Sequence, residues 1–137
     1  MDPMVPVVKQ GTVYPTASER DMVESKVIAL LNRTFVKHRD FVDLYLFQNQ
    51  LSDACRERLQ SKFGDLGMAE EPIRKRITDF AAYPDYHAKA IQAIIDDQLE
   101  PSAAASVNDA GGGKLILDTV LHLLERYVLG QNGGQEL

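Results

Sequence analysis

The chain has 137 residues, a formal net charge of −5, 45% hydrophobic and 26% charged residues, and a single cysteine. This composition is that of an ordinary globular domain with one core, which excludes a disordered or fibrous body. The negative charge disfavours nucleic acid and anionic membranes as partners, and no apolar run approaches the ~20 residues of a spanning helix.

Residues 1–17 are predicted to form an extended N-terminal arm, because they hold Pro3, Pro6 and Pro15 and show no helical periodicity. Within this arm, residues 7–14 carry a weak hairpin pattern. The arm lacks the basic leader and long apolar stretch of a signal peptide, and a lone cysteine forms no intrachain disulfide. We therefore expect a cytoplasmic protein.

A first helix is predicted from Ser18, where a hydroxyl and the carboxylate of Asp21 resemble a capping box. Apolar residues then recur at three- and four-residue steps to about position 37, which is typical of a buried helix face. These predicted core residues are Val23, Val27, Leu30, Leu31 and Phe35.

A second helix is predicted from Asp40, with Asp43 completing its cap, to about Phe63 before Gly64. Its predicted inward face comprises Leu44, Phe47, Leu51, Cys55 and Leu59. A third helix is expected from Pro72 to a break at Pro84. A fourth then runs to Leu99, where Pro101 stops it, and residues 100–113 are predicted to be a loop.

The last predicted helix, Lys114 to Leu129, is the most apolar and carries hydrophobic residues beyond a single stripe. Gly130 ends it, and residues 131–137 are expected to form a flexible tail. The sequence thus predicts an all-α, single-domain bundle of about five helices over residues 18–130, preceded by an extended N-terminal arm.

Two polar patterns lie on or just before the last predicted helix. The run Gly111–Gly113 before Lys114 lacks the spacing of a phosphate-binding loop, so we interpret it as a hinge or mobile loop. Asp118, His122 and Glu125 project from one side of the helix and could chelate a metal. No Glu-x-x-His motif accompanies them, so a solvated helix face is favoured and no metal or cofactor is predicted.

The remaining histidines and the cysteine carry weaker signals. His38 and His87 fall on different predicted elements, so a zinc cluster would need a convergence that the sequence does not indicate. Cys55 lies on a predicted apolar face, where a thiol behaves as a small hydrophobe, and it would be a nucleophile only beside His87 or His122.

One basic concentration flanks the connection between the second and third helices, although acidic residues share the region. Its members are Arg56, Arg58, Lys62, Arg74, Lys75 and Arg76. A patch of this kind predicts, as the alternative function, a small regulator that binds nucleic acid or a phosphorylated ligand. Neutralised surface ion pairs are the competing interpretation.

The strongest functional signal is a surplus of apolar surface on the second and fifth helices, because large exposed apolar patches often mark partner surfaces. The predicted partner-interface residues are Phe41, Tyr45, Leu115, Ile116 and Leu123. The leading hypothesis is a non-enzymatic helical protein–protein interaction module, an adaptor, scaffold or regulator. We expect its partner to be a protein, with self-association as a homodimer.

Overall fold

The computed structural model describes residues 16–130, with side chains from residue 21. This part of the chain is helical and contains no strand, which confirms the all-α class. Its seven α-helices are α1 Thr16–Asn32, α2 Arg39–Leu46, α3 Asp53–Asp65, α4 Glu70–Ala82, α5 Pro84–Gln98, α6 Pro101–Ala110 and α7 Gly112–Tyr127. The predicted count of five is therefore wrong by two.

Helix α1 begins at Thr16, two residues before the predicted cap, and ends at Asn32, short of the predicted end near position 37. Phe35 therefore lies in the connection to α2 and is 82% exposed, so its assignment to the core is wrong. The predicted hairpin at 7–14, the rest of the N-terminal arm and the tail at 131–137 lie outside the described residues.

The predicted second helix is divided into α2, a short 3-10 turn over Gln48–Gln50, and α3. Helix α2 ends at Leu46, and α3 starts after Ser52, whose extended backbone and side-chain oxygen, which accepts from the Cys55 amide, form an N-cap. The predicted cap at Asp40 is also wrong, because no side chain caps the first turn of α2. A hydroxyl cap thus starts a new helix in a stretch that contains neither glycine nor proline.

Helix α6 occupies most of the segment that was predicted to be a loop. Pro101 opens it at a position that tolerates the missing amide hydrogen, and the Glu100 carboxylate accepts from the Ala103 amide. The run Ala103–Ala105 favours the helix, since alanine has the highest helix propensity. Gly111, at φ +143°, ends α6 before α7 begins.

The core forms where α7 packs against α5 and α2, with further contacts to α3, α4 and α6. Gly112 and Gly113 are buried in this packing, where a Cβ on Gly113 would overlap the Ala88 carbonyl oxygen of α5. Gln92 of α5 accepts from the Gly113 amide at 3.0 Å and donates to Asn108 of α6 at 2.8 Å. The three glycines thus form a close-packed helix junction, which corrects their interpretation as a mobile loop.

Over residues 16–130, none of the helices combines the length and apolarity that crossing a bilayer requires.

Candidate functional site: an aromatic end around a histidine pair

Two histidines that the sequence assigned to separate elements meet at one end of the molecule. His38 lies immediately before α2, and His87 lies in the first turns of α5. The His38 Nε2 atom is 2.9 Å from the His87 Nδ1 atom, which is hydrogen-bonding distance. One ring must therefore donate its N–H while the other accepts with a lone pair.

Aromatic rings surround this pair. The His38 ring stacks on Phe41 with centroids 5.8 Å apart, and Tyr86 meets both His38 and His87 edge-on. His87 also meets the Phe80 ring at a nearly perpendicular angle, with centroids 5.4 Å apart. The pair thus joins α2, α4 and α5 through a continuous ring cluster, an arrangement that aromatic side chains favour.

Ion pairs fix the segment that carries His38. Asp40 is 1% exposed and accepts from Arg33 at 2.6 Å and from Lys26 at 3.2 Å. Lys26 also pairs with Asp43 at 3.1 Å, so α1 is tied to the first turn of α2. On the other side, Arg76 of α4 donates to the Arg33 carbonyl oxygen. A buried carboxylate with two cationic partners restricts the connection between α1 and α2.

The surroundings disfavour the charged form of both imidazoles. Burial lowers the pKa of His38, and the charge of a protonated His87 would lower it further. Burial also lowers the pKa of His87. At neutral pH the pair is therefore uncharged, as a hydrogen bond between two imidazole rings allows.

Three large aromatic side chains are exposed on the segments of the chain that carry this histidine pair. They are Phe35 at 82%, Tyr83 at 65% and Tyr86 at 67% exposure. Phe35 precedes His38 in the α1–α2 connection, whereas Tyr83 and Tyr86 flank Pro84 at the α4–α5 junction. We refer to Phe35, Tyr83 and Tyr86 as the aromatic end.

The structure places the sequence-predicted interface residues elsewhere. Phe41 and Ile116 are both 0% exposed, so their prediction as surface contacts is wrong. Phe41 packs against Phe80 with ring centroids 5.2 Å apart, and Ile116 belongs to the central core. Tyr45, Leu115 and Leu123 are half-buried.

The predicted basic patch is largely paired with acidic or backbone groups. Arg58 and Lys62 both donate to Glu24 of α1 at 2.7 Å. Arg74 pairs with Glu70 and Lys75 with Asp79, each one helical turn apart. Arg76 donates to a backbone carbonyl, which leaves Arg56 as the member without a partner among the described residues. The positive charges are thus divided between different neighbours.

The other polar candidates do not converge. Asp118 and His122 line a shallow depression with Gln48, but Asp118 pairs with Lys114 at 3.1 Å. Glu125 is half-buried and outside that depression, and no group of three metal-ligating side chains occurs in the described part of the chain.

Cys55 is buried beside an arginine. Its Sγ accepts from Arg58 at 3.1 Å and donates to the Gln50 carbonyl at 3.3 Å. His87, one of the two bases considered for it, is bonded to His38 instead.

Sequence reasoning missed the aromatic end because it treated apolar residues as helix stripes. One signal was available. Tyr83 precedes a proline that separates two helices, and a residue between helices does not share the buried face of either one. No family model, curated protein or solved structure matches this chain.

Proposed function

We propose that this protein is a helical interaction module that self-associates through its aromatic end. The observation that carries this proposal is the exposure of Phe35, Tyr83 and Tyr86 on the two segments of the chain that the His38–His87 hydrogen bond brings together. Aromatic residues are enriched at the centres of protein interfaces, and clustered exposed apolar side chains mark partner surfaces.

Hydrogen bonds and ion pairs restrict the segments that carry the aromatic end, which favours binding. The His38–His87 hydrogen bond joins the α1–α2 connection, which carries Phe35, to the first turn of α5, which carries Tyr86. The Asp40 ion pairs hold the first of these connections to α1. A surface that is ordered before binding loses less conformational entropy when it docks.

A second copy of this chain is the partner that we propose, in a two-fold arrangement where the same aromatic end meets itself. Each aromatic side chain can bury about 150–250 Å², whereas a stable interface buries about 800 Å² per partner. Three rings therefore support a transient dimer in the micromolar range or weaker, rather than an obligate one.

The test is light scattering over a wide range of protein concentration. We expect the average mass of the wild-type protein to rise with concentration toward that of a dimer. The double variant Phe35→Ser with Tyr83→Ser should weaken the dissociation constant about tenfold or more, because central aromatic contacts dominate interface energy. Both side chains are largely exposed, so the fold should be retained.

The matched control is Leu46→Ser, which removes an exposed apolar side chain at the C-terminal end of α2. This variant should associate like the wild type. A wild-type protein that stays monomeric up to millimolar concentration would contradict the proposal, as would equal weakening by Leu46→Ser.

A further inference from the structure

A groove of about 450 Å³ lies between the C-terminal half of α3, the start of α4 and the end of α7. It shares no residue with the aromatic end. Its apolar lining comprises Phe63, Met68, Ile73, Val128 and Leu129. Phe63, Ile73 and Val128 are buried, so Met68 and Leu129 supply most of the apolar surface within reach, beside the polar side chains of Arg56, Gln60 and Glu70. A concave surface that combines apolar and polar groups is suited to a short peptide segment.

The rim of the groove contains one cationic side chain, Arg56, that makes no ion pair with the described residues. Gln60 donates to the Val128 carbonyl at 2.8 Å, which holds the end of α7 against α3. Glu70 is already paired with Arg74 at 2.6 Å. The Arg56 side chain is exposed and makes neither an ion pair nor a hydrogen bond to any of the described residues. The groove therefore suits a segment with an apolar side chain beside an acidic one.

The chain itself leaves the described part of the fold at this rim. Val128 and Leu129 line the groove, and Gly130 follows with φ +75°. A Cβ on Gly130 would overlap the Arg56 guanidinium, so the backbone passes directly beside that cation. Residues 131–137 continue from this point.

The sequence of residues 131–137 matches the groove. Glu136 is its only charged side chain and Leu137 its only apolar one, and the Gly133–Gly134 pair permits a reversal of the backbone. At roughly 3.3–3.6 Å per residue, a segment of this length extends about 20 Å or more, enough to return along the groove.

We propose that residues 131–137 bind in this groove of their own chain, with Leu137 on its apolar lining and Glu136 paired with Arg56. Tethering supports such binding, because a short linker gives the segment an effective concentration in the millimolar range. A weak contact, one apolar side chain and one ion pair, is then sufficient for occupancy. This inference goes beyond the proposed function and uses a separate surface.

The test is a methyl NMR spectrum of the full chain with 13C-labelled methionine methyl groups. Met68 reports on the groove, whereas Met22, on α1 and outside the groove lining, serves as the internal reference. Truncation after Gly130 and the variant Leu137→Ser should both shift the Met68 resonance and leave that of Met22 in place. Gln135→Ser is the matched control and should leave both unchanged. An identical Met68 resonance in the wild type and both variants would overturn the proposal.

The charge pair is tested with Arg56→Gln and Glu136→Gln. Each should move the Met68 resonance part of the way toward its position in the truncated chain, and the double variant should move it no further than the larger single change. Strictly additive shifts, or none, would contradict the assignment of Arg56.

Concentration separates the same-chain occupant from a second copy. In the Phe35→Ser, Tyr83→Ser background, the shift caused by Leu137→Ser should not depend on protein concentration. A dependence would mean that the groove takes the segment of another molecule, which overturns the intrachain proposal. Because this background removes the aromatic end, the result is independent of whether the proposed self-association holds.

Discussion

At the scale of single residues, the His38–His87 pair links proton binding to folding. The facing nitrogens are 2.9 Å apart, so they cannot both carry a proton without losing the hydrogen bond. Burial lowers the pKa of both rings, with the charge of His87 adding to the effect at His38. The folded protein therefore takes up these protons at lower pH than the unfolded chain does.

The free energy of unfolding should consequently fall as the solution is acidified. For a lowered folded-state pKa, the stabilisation is fully present above the unfolded value near 6.5 and is lost as pH falls through the folded value. Urea titrations between pH 8 and pH 5 measure this. Substituting both His38 and His87 by Phe, which keeps aromatic rings in the cluster, should flatten the decline. His122→Gln, at an exposed position, should retain the wild-type slope, and a flat wild-type profile would contradict the prediction.

Glu24 of α1 is a buried carboxylate that pairs with two cations of α3. It is 0% exposed and accepts from both Arg58 and Lys62. Burial acts to raise the pKa of Glu24, but the hydrogen bonds from Lys62 and Arg58 outweigh it and lower the pKa below its ordinary value. The carboxylate is thus ionised and holds α1 to α3.

Removing this carboxylate should destabilise the fold. We expect Glu24→Ala to cost about 3 kcal/mol, because it leaves a cavity and two cations without their buried acceptor, and Glu24→Gln to cost less. Chemical unfolding monitored by circular dichroism gives both values. Glu57→Gln, at an exposed position of α3, should stay within about 0.5 kcal/mol of the wild type. Equal effects of Glu24→Gln and Glu57→Gln would show that the buried pairs contribute nothing.

At the scale of helices, two glycines are predicted to respond to alanine in opposite directions. A Cβ on Gly113 would overlap the Ala88 carbonyl oxygen and lie 3.0 Å from the Gln92 amide nitrogen, and both belong to the backbone of α5. Gly113→Ala should therefore cost about 1–3 kcal/mol, since α5 and α7 must separate. Gly64 lies within α3 with open space around its Cβ position, so Gly64→Ala should add about 0.5–1 kcal/mol. Thermal unfolding measures both, and a stabilising Gly113→Ala would contradict the close packing of α5 on α7.

The same elements show how much of the fold the sequence determines. Periodicity identified the main apolar faces of α1 and α3, because each buries a continuous stripe. It missed α6, which buries little beyond Val107 and is favoured mainly by Pro101, the Glu100 cap and its alanines. A structureless segment of that length inside a compact domain was itself a reason to expect a helix.

The candidate site was less predictable than the fold, for a physical reason. His38 and His87 are 49 positions apart, and their meeting depends on how α2 and α5 are arranged in space. Phe35 continues the spacing of the α1 stripe but follows the end of that helix, so its direction is set by the connection. The spacing of residues along the chain indicates neither how helices pack in space nor where a side chain in a connection points.

At the scale of the whole molecule, the distribution of charge separates the two functional hypotheses. The chain carries a net charge of −5, and most of the basic side chains that the structure describes pair with acidic neighbours. Two such molecules repel each other at long range, whereas an anionic ligand would need a concentrated positive surface. The two hypotheses therefore predict opposite effects of salt concentration on binding.

We expect salt to leave the dissociation constant of the dimer unchanged or to strengthen the association. Added ions screen the repulsion between two acidic copies, while aromatic contacts depend little on ionic strength. A regulator that binds nucleic acid or a phosphorylated ligand predicts the reverse, because its affinity falls steeply as salt rises. Sedimentation equilibrium at low and high sodium chloride measures the first, and fluorescence anisotropy with a labelled oligonucleotide measures the second. Dimers that dissociate as salt rises, together with oligonucleotide binding that Arg56→Gln weakens, would overturn the aromatic end as the functional surface and restore the basic patch.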